Sequence, residues 1–106
     1  MDITTTESLP GRRITAVKGV AVGSTVRTKN IGKDIGAGFK SLVGGELKSY
    51  SAMLVEARSE ALSRMEAQAT ELGADAVVNL RFMTSAVASG ASEILAYATA
   101  VTTEAV

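Results

Sequence analysis

The sequence predicts an α+β domain in which one strand, one long helix and two further strands follow in order. Residues 13–22 alternate in hydropathy as a half-buried strand does. Residues 47–72 repeat apolar side chains at helical spacing. Residues 76–84 and 93–101 are two more strand-like runs, joined by a predicted flexible hairpin loop of small residues at 86–92. A short extra strand near residues 3–6 fits the same pattern, and 106 residues suffice for one domain, 1–106.

The long helix is defined by an apolar sector at about 100° per residue. Gly73 suits the left-handed residue that ends a helix, and Glu60 and Arg64 are spaced for an ion pair one turn apart. At 1.5 Å per residue the helix would be roughly 38 Å long, so one end should extend past the sheet. The apolar sector consists of Leu47, Tyr50, Leu54, Ala57, Ala61, Leu62, Met65, Ala69 and Leu72.

The last strand is apolar on both faces, which is typical of a strand that is covered on both sides. A single helix covers one face only, so we expect the other face to pack against another copy of the chain. Because alanine side chains are small, the row of alanines would allow another subunit to approach closely. We therefore expect that row to form the subunit contact. One face carries Ile94, Ala96, Ala98 and Ala100, and the other carries Leu95, Tyr97, Thr99 and Val101.

The composition excludes several classes of function. Eleven basic residues balance eleven acidic ones, which argues against a nucleic-acid binder or a polybasic membrane binder. The chain has no His and no Cys, so the usual general base, the thiolate nucleophile and the commonest transition-metal ligand are absent. No targeting or membrane-spanning segment is visible, and we expect a cytoplasmic protein.

Charge is divided between the two parts of the chain. Residues 1–48 hold eight basic and four acidic residues, and the remainder holds three basic and seven acidic ones. Two solvated faces would explain this division. Head-to-tail attraction between identical subunits is the alternative.

Residues 30–45 combine helical spacing with several glycines and predict a short amphipathic helix. The segment also invites comparison with phosphate-binding loops. Phe39 separates Gly38 from Lys40, which breaks the Gly-Lys-Ser/Thr motif, and the dinucleotide pattern is broken as well. Nucleotide binding through this segment is therefore disfavoured.

Several short motifs together resemble the YbjQ family, whose small bacterial and archaeal members are labelled "putative heavy-metal-binding". The resemblance covers nearly the whole chain. It implies a β-α-β-β subunit, an antiparallel sheet packed on one long helix with the last strand in the middle, and a homopentameric ring. The residues that carry it are Asn30-Ile31, Asp34, Gly38, Val43-Gly44-Gly45, Tyr50, Leu54, Ala57-Arg58, Ala61, Ala69 and Leu72-Gly73-Ala74-Asp75-Ala76-Val77-Val78.

A metal site in this chain would have to use carboxylates, because Met53, Met65 and Met83 are better explained as packing residues and the chain has no His or Cys. In a ring each acidic residue near the axis is repeated in every subunit and could form an oxygen cage for Ca²⁺ or Mg²⁺. The candidates are Asp34, Glu46 and Asp75. Each also has a structural explanation: Asp34 as a surface charge, Glu46 beside the helix N-terminus, and Asp75 in a turn.

A ligand site is the other possibility, with Gly44, Gly45, Tyr50 and Arg58 as candidates. Gly44-Gly45 would leave backbone N–H groups free at the helix start. Arg58 falls inside the apolar sector, where it either extends its head into water or pairs with a carboxylate or an anionic ligand. Tyr50 either packs in the core or offers a hydroxyl to the same place.

Three functional hypotheses remain. The first is a non-enzymatic protein that binds a small ligand or a divalent metal ion. The second is a scaffold ring that binds partner proteins. The third, an enzyme, is disfavoured because no pair of acid and base residues stands at short spacing.

Overall fold

The computed structural model describes residues 1–28 and 45–106, with side chains from residue 48 onward in the second range. It contains β1 (Asp2–Ile3), β2 (Arg12–Thr28), α1 (Gly45–Glu71), β3 (Ala76–Ala88) and β4 (Ala91–Ala105). The predicted short helix at 30–45 lies outside the described residues, apart from Gly45. The α+β class and the order of strand, helix, strand and strand are confirmed.

One sheet has the strand order β1-β3-β4-β2, so the last strand lies in the middle as the resemblance implied. β4 pairs antiparallel with both β2 and β3. The expected antiparallel sheet is corrected at one point, because β1 pairs parallel with β3 and makes the sheet mixed. The residues after β1 continue the backbone pairing with β3. Thr4 and Thr6 form backbone hydrogen bonds with Val77, Asn79 and Leu80.

The helix begins two residues before the predicted start and ends one residue before the predicted end. Its C-terminus has the expected left-handed Gly73, with φ of 84°. The N–H groups of Gly73 and Ala74 donate to the carbonyls of Thr70 and Ala69, which closes the helix end. Glu60 and Arg64 form the predicted ion pair.

All three long strands exceed their predicted lengths, and the predicted loop at 86–92 is wrong. Ala88 pairs with Ala91, which leaves only Ser89 and Gly90 as the turn. Gly90 has φ of 75°, a backbone conformation that allows so tight a connection. The small residues at 86–88 and 91–92 therefore belong to the strands and do not form a flexible loop.

The core lies between the helix and one face of the sheet. The alanines of β4 pack there against Ala57, Ala61 and Ala69 of α1. The expectation that the alanine row faces a second subunit is therefore wrong. Its small side chains let the chain's own helix approach the sheet closely.

The opposite face of the sheet is only partly covered. At one end Leu9 packs against Ala76, Val78 and Val101 in a second small cluster. Beyond that cluster lies a surface that we call the open face. The strand registers place Val20, Val22, Val26, Met83, Leu95 and Tyr97 on it.

The molecule is elongated, with extents of 55 × 21 × 16 Å and a radius of gyration of 17.2 Å. A compact domain of this length would have a radius near 13 Å. Part of the elongation comes from a two-stranded ribbon in which residues 12–18 of β2 pair with the end of β4. Every residue from 12 to 18 is exposed.

Candidate functional site

Tyr50 lies at the start of the helix and is buried, with 8% of its surface exposed. Its hydroxyl is 3.3 Å from the Ser92 hydroxyl at the start of β4. The side chain therefore joins the first turns of α1 to the β3–β4 hairpin. This position agrees with the packing explanation of Tyr50.

Arg58 is two turns further along the helix and is exposed. It lines an open groove of about 190 Å³ between α1 and the strands β3 and β4. The groove is mainly apolar and also carries two hydroxyl groups. Its lining residues are Ser51, Leu54, Val55, Arg58, Thr84 and Ile94.

The sequence prediction placed Arg58 at a ligand site but missed the residues around it. Thr84 and Ile94 belong to strands, and only the tertiary fold places them beside the helix. Tyr50 does not line this groove. The structure therefore separates two residues that the sequence analysis assigned to one site.

The opposite flank of the helix carries paired charges. Arg27 of β2 forms an ion pair with Glu60, which Arg64 also contacts. A longer contact of 3.6 Å joins Arg27 to Glu56. Within the described residues Arg58 forms no such ion pair. The flank that carries Arg58 therefore has an unpaired positive charge, whereas Arg27 and Arg64 on the opposite flank are paired.

Two helix side chains also bind the backbone of the edge strand β2. The Val22 N–H donates to the Gln68 side-chain oxygen. Arg64 Nη1 donates to the Ser24 carbonyl over 2.6 Å. These groups point away from β4, so the helix covers part of an edge that could otherwise pair with another strand.

Asp75 lies just past the helix end and is held by Thr103 of β4. The Thr103 N–H donates to Asp75 Oδ2 over 3.1 Å, and the Thr103 hydroxyl donates to Oδ1 over 2.9 Å. Arg12 Nε donates in turn to the same hydroxyl over 2.7 Å. The backbone hydrogen bond from Thr103 is the main cause that lowers the pKa of Asp75, and the hydroxyl bond and the Arg12 charge act in the same direction.

The other predicted site residues provide little further geometry. Asp34 and Gly44 lie outside the described residues. Gly45 and Glu46 are in the first turn of α1, where only the backbone is described. About 20 Å separates Arg58 from the helix end at 1.5 Å per residue, so Arg58 and Asp75 do not meet within one chain.

The donor atoms of the described residues do not fit a soft heavy-metal site. The sequence has no His or Cys. Among the described side chains, those of residues 1–28 and 48–106, no group of three or more acidic residues is placed to hold a metal ion. Met65 is fully buried in the core. Met1 at the N-terminus and Met83 on β3 are exposed.

The described part of the chain contains no helix that is long and apolar enough to cross a membrane. α1 carries charged residues along its whole length.

Comparisons with known proteins place these features in a family. The YbjQ_1 family model, described as "Putative heavy-metal-binding", matches residues 1–104. A UPF0145 protein of Methanoculleus marisnigri is 59% identical over 101 residues, which cover 95% of this chain and 94% of that protein. A UPF0145 protein of Vibrio campbellii is 54% identical over 95% of this chain and 97% of its own length. The relatives thus include archaeal and bacterial proteins, and their names state no enzymatic activity.

A solved structure shows the same fold. It is the crystal structure of a DUF74-family protein with unknown function from Pediococcus pentosaceus, which matches with a TM-score of 0.68. The alignment covers 98% of both chains at 19% sequence identity. At that identity the likeness concerns the fold alone. The family match and the close relatives together show that this chain belongs to the YbjQ-like family described as "Putative heavy-metal-binding".

Proposed function

We propose that this chain is a non-enzymatic ligand-binding protein that acts as a homopentameric ring. The open face of the sheet carries the proposal of assembly. Val20 is 64% exposed, Val26 55% and Met83 56%, and the three lie on one face of the sheet, on the strands β2 and β3 that flank β4. Contiguous apolar surface of this kind is rare on a monomer and is typical of an interface.

A ring needs two different complementary surfaces, whereas a symmetric dimer needs only one surface that matches itself. The exposed ribbon at residues 12–18 offers the second surface. It presents Ile14 and Val17, the latter 69% exposed, together with Arg12, Arg13 and Lys18. Glu93 lies at the far end of the open face. Contact between the basic ribbon of one subunit and the open face of the next would be head-to-tail, and a ring of five is the closure that the family resemblance implies.

The chemistry of the described side chains favours binding over catalysis. The chain lacks His and Cys throughout. The carboxylate of Asp75, whose pKa is lowered, is occupied by Thr103. A group that stays ionised and hydrogen-bonded is poorly suited to move protons near neutral pH. The proposal includes no resident heavy metal, because the donor set lacks thiolates and imidazoles.

A scaffold ring that binds partner proteins is the second candidate. One observation favours it: β1 and the residues after it pair with β3 only as far as Leu80. In the described structure the outer edge of β3 from Arg81 to Ala88 therefore has no neighbouring strand. Phe82 and Val87 are exposed along it, so an extended segment of another protein could add to this edge.

The assembly is tested by placing a charge on the open face with Val20→Glu. We expect the parent protein to scatter light as a particle of about five times the 10.9 kDa mass of one chain. Val20→Glu should reduce that mass, because a carboxylate would lose its water inside an apolar contact. Val106→Glu is the matched control, since Val106 is 92% exposed at the C-terminus and should leave the mass unchanged.

A parent protein that remains a monomer at micromolar concentration would contradict the ring. The ligand-binding and scaffold candidates are then separated by two measurements on the same assembled protein. A thermal-shift screen of small metabolites should raise its melting temperature under the first candidate. Capture of a partner that is lost when Phe82 is replaced by Glu would support the second candidate instead.

A further inference from the structure

The groove beside Arg58 combines an apolar body with one cationic group. Leu54, Val55 and Ile94 supply the apolar lining, and Ser51 and Thr84 supply hydroxyl groups. None of the described residues that line it is acidic. A ligand that fits this lining therefore needs an apolar part and a group that accepts hydrogen bonds from a guanidinium.

Other described arginines are already engaged. Arg27 and Arg64 contact Glu60, Arg13 contacts Glu104, and Arg12 and Arg81 donate to oxygens of Thr103 and Thr5. Arg58 contacts no carboxylate within the described residues. Its charge is therefore available to a ligand in this groove.

The size of the groove limits the ligand. Sites for drug-sized molecules measure about 300–1,000 Å³, and this groove measures about 190 Å³. It therefore has room for a molecule of fragment size. A single guanidinium matches a carboxylate through two parallel hydrogen bonds, and one positive charge balances one negative charge.

We propose that this groove binds a small monocarboxylate with a short aliphatic tail. The carboxylate lies at Arg58 and the hydroxyl groups, and the tail lies against Leu54 and Ile94. This assignment rests on the proposed ligand-binding function and names the chemical class of its ligand.

The test uses hexanoate as the probe, titrated into the full-length assembled protein. Hexanoate has eight heavy atoms, which sets an expected Kd of about 1 mM for a small ligand. Backbone amide shifts of Thr84 and Ile94 should report its binding. Hexylammonium also has six carbon atoms but carries the opposite charge, and it should bind at least tenfold more weakly.

Arg58→Gln should weaken hexanoate binding about tenfold or more, because the charge-assisted pair is lost. Arg64→Gln is the matched control, since Arg64 is an exposed arginine on the opposite flank of the same helix and does not line the groove. Val55→Asp provides a second variant at an exposed position, where a new carboxylate should repel the probe without disturbing the core. Equal binding of hexanoate by the parent and Val55→Asp would overturn the proposal, as would equal affinity for hexanoate and hexylammonium.

Light scattering on the same samples separates the two proposals. An assembled ring that shows no shifts with hexanoate would overturn the ligand class and leave the ring intact. A monomer would overturn the proposed assembly, whatever the groove binds.

Discussion

Replacing Gly23 by alanine tests how closely the helix lies on the sheet. Gly23 is buried in β2 and faces α1. A Cβ at this position would overlap the Ala61 carbonyl oxygen and the Met65 amide nitrogen, and it would crowd the Arg64 carbonyl carbon. All three atoms belong to the helix backbone. A rotated side chain therefore cannot relieve the overlap, and the helix itself must move.

The expected cost follows from that geometry. Adding a methyl group to a tightly packed core costs about 1–3 kcal/mol, and a clash with backbone belongs at the upper end. Alanine also restricts the unfolded chain, which offsets about 0.4–1 kcal/mol. We therefore expect Gly23→Ala to lower the free energy of unfolding by about 2 kcal/mol.

Urea unfolding measures this loss, with all variants at one protein concentration because assembly contributes to stability. A loss of about 2 kcal/mol moves the midpoint by about 1–2 M. Gly11→Ala is the control: its φ of 78° is strained for alanine, but no atom lies within 4 Å of the new methyl group. It should cost about 1 kcal/mol, from backbone strain alone.

A second variant distinguishes backbone from side-chain crowding. Ala61→Gly removes a methyl group but leaves the Ala61 carbonyl in place, so it should not rescue Gly23→Ala. A Gly23→Ala protein as stable as the parent would refute the close approach. Rescue by Ala61→Gly would show that side chains, and not the backbone, limit the distance.

Two further predictions concern the hydrogen bonds of Asp75 and Gln68. Asp75 has a pKa that is lowered by folding, so its contribution to stability is present above its unfolded pKa of about 3.9 and is lost as the pH falls through the lower folded value. The difference in urea midpoint between the parent and Asp75→Asn should therefore be constant from pH 7 to about pH 5 and should shrink below about pH 4; a difference that grows on acidification would contradict the Thr103 contacts. Gln68→Leu should cost about 0.5–1.5 kcal/mol and speed hydrogen exchange at the Val22 amide, which loses its acceptor. An unchanged exchange rate at Val22, with the central-strand amide of Ala98 as reference, would show that Gln68 does not cover the edge of β2.

Local patterns in the sequence predicted the elements themselves. The helix at 47–72 was found within two residues at each end, because its apolar sector and Gly73 are both local signals. The Glu60–Arg64 pair follows from spacing on one helix, and the structure contains it. The lengths of the strands were less predictable. The first strand is predicted to end at Val22 and residues 86–92 are predicted to form a loop, but pairing with β4 carries β2 on to Thr28 and leaves only Ser89 and Gly90 as a turn.

The candidate site was predicted only in part. Arg58 was identified because a charge stood inside an apolar sector, and it lines the groove. Thr84 and Ile94 could not be assigned to it, since nothing in their own strands indicates which helix residue they meet. Asp75 is predicted from the sequence as a turn residue or a metal ligand, but Thr103, its partner 28 residues later, is not identified by any local pattern.

The sequence by itself determined the class of fold, the long helix, the exclusion of thiolate and imidazole chemistry, and a last strand that is largely apolar on both faces. These properties depend on residue identity and short-range periodicity. Only the tertiary structure decided which face of that strand meets the helix. Alanines on both elements allow the backbones to approach, so the alanine row is buried within the chain and Leu95 and Tyr97 remain on the open face. The close contact forms because both the helix and the strand carry small side chains. The two sets of alanines lie far apart along the chain, so no local pattern shows which surfaces will meet.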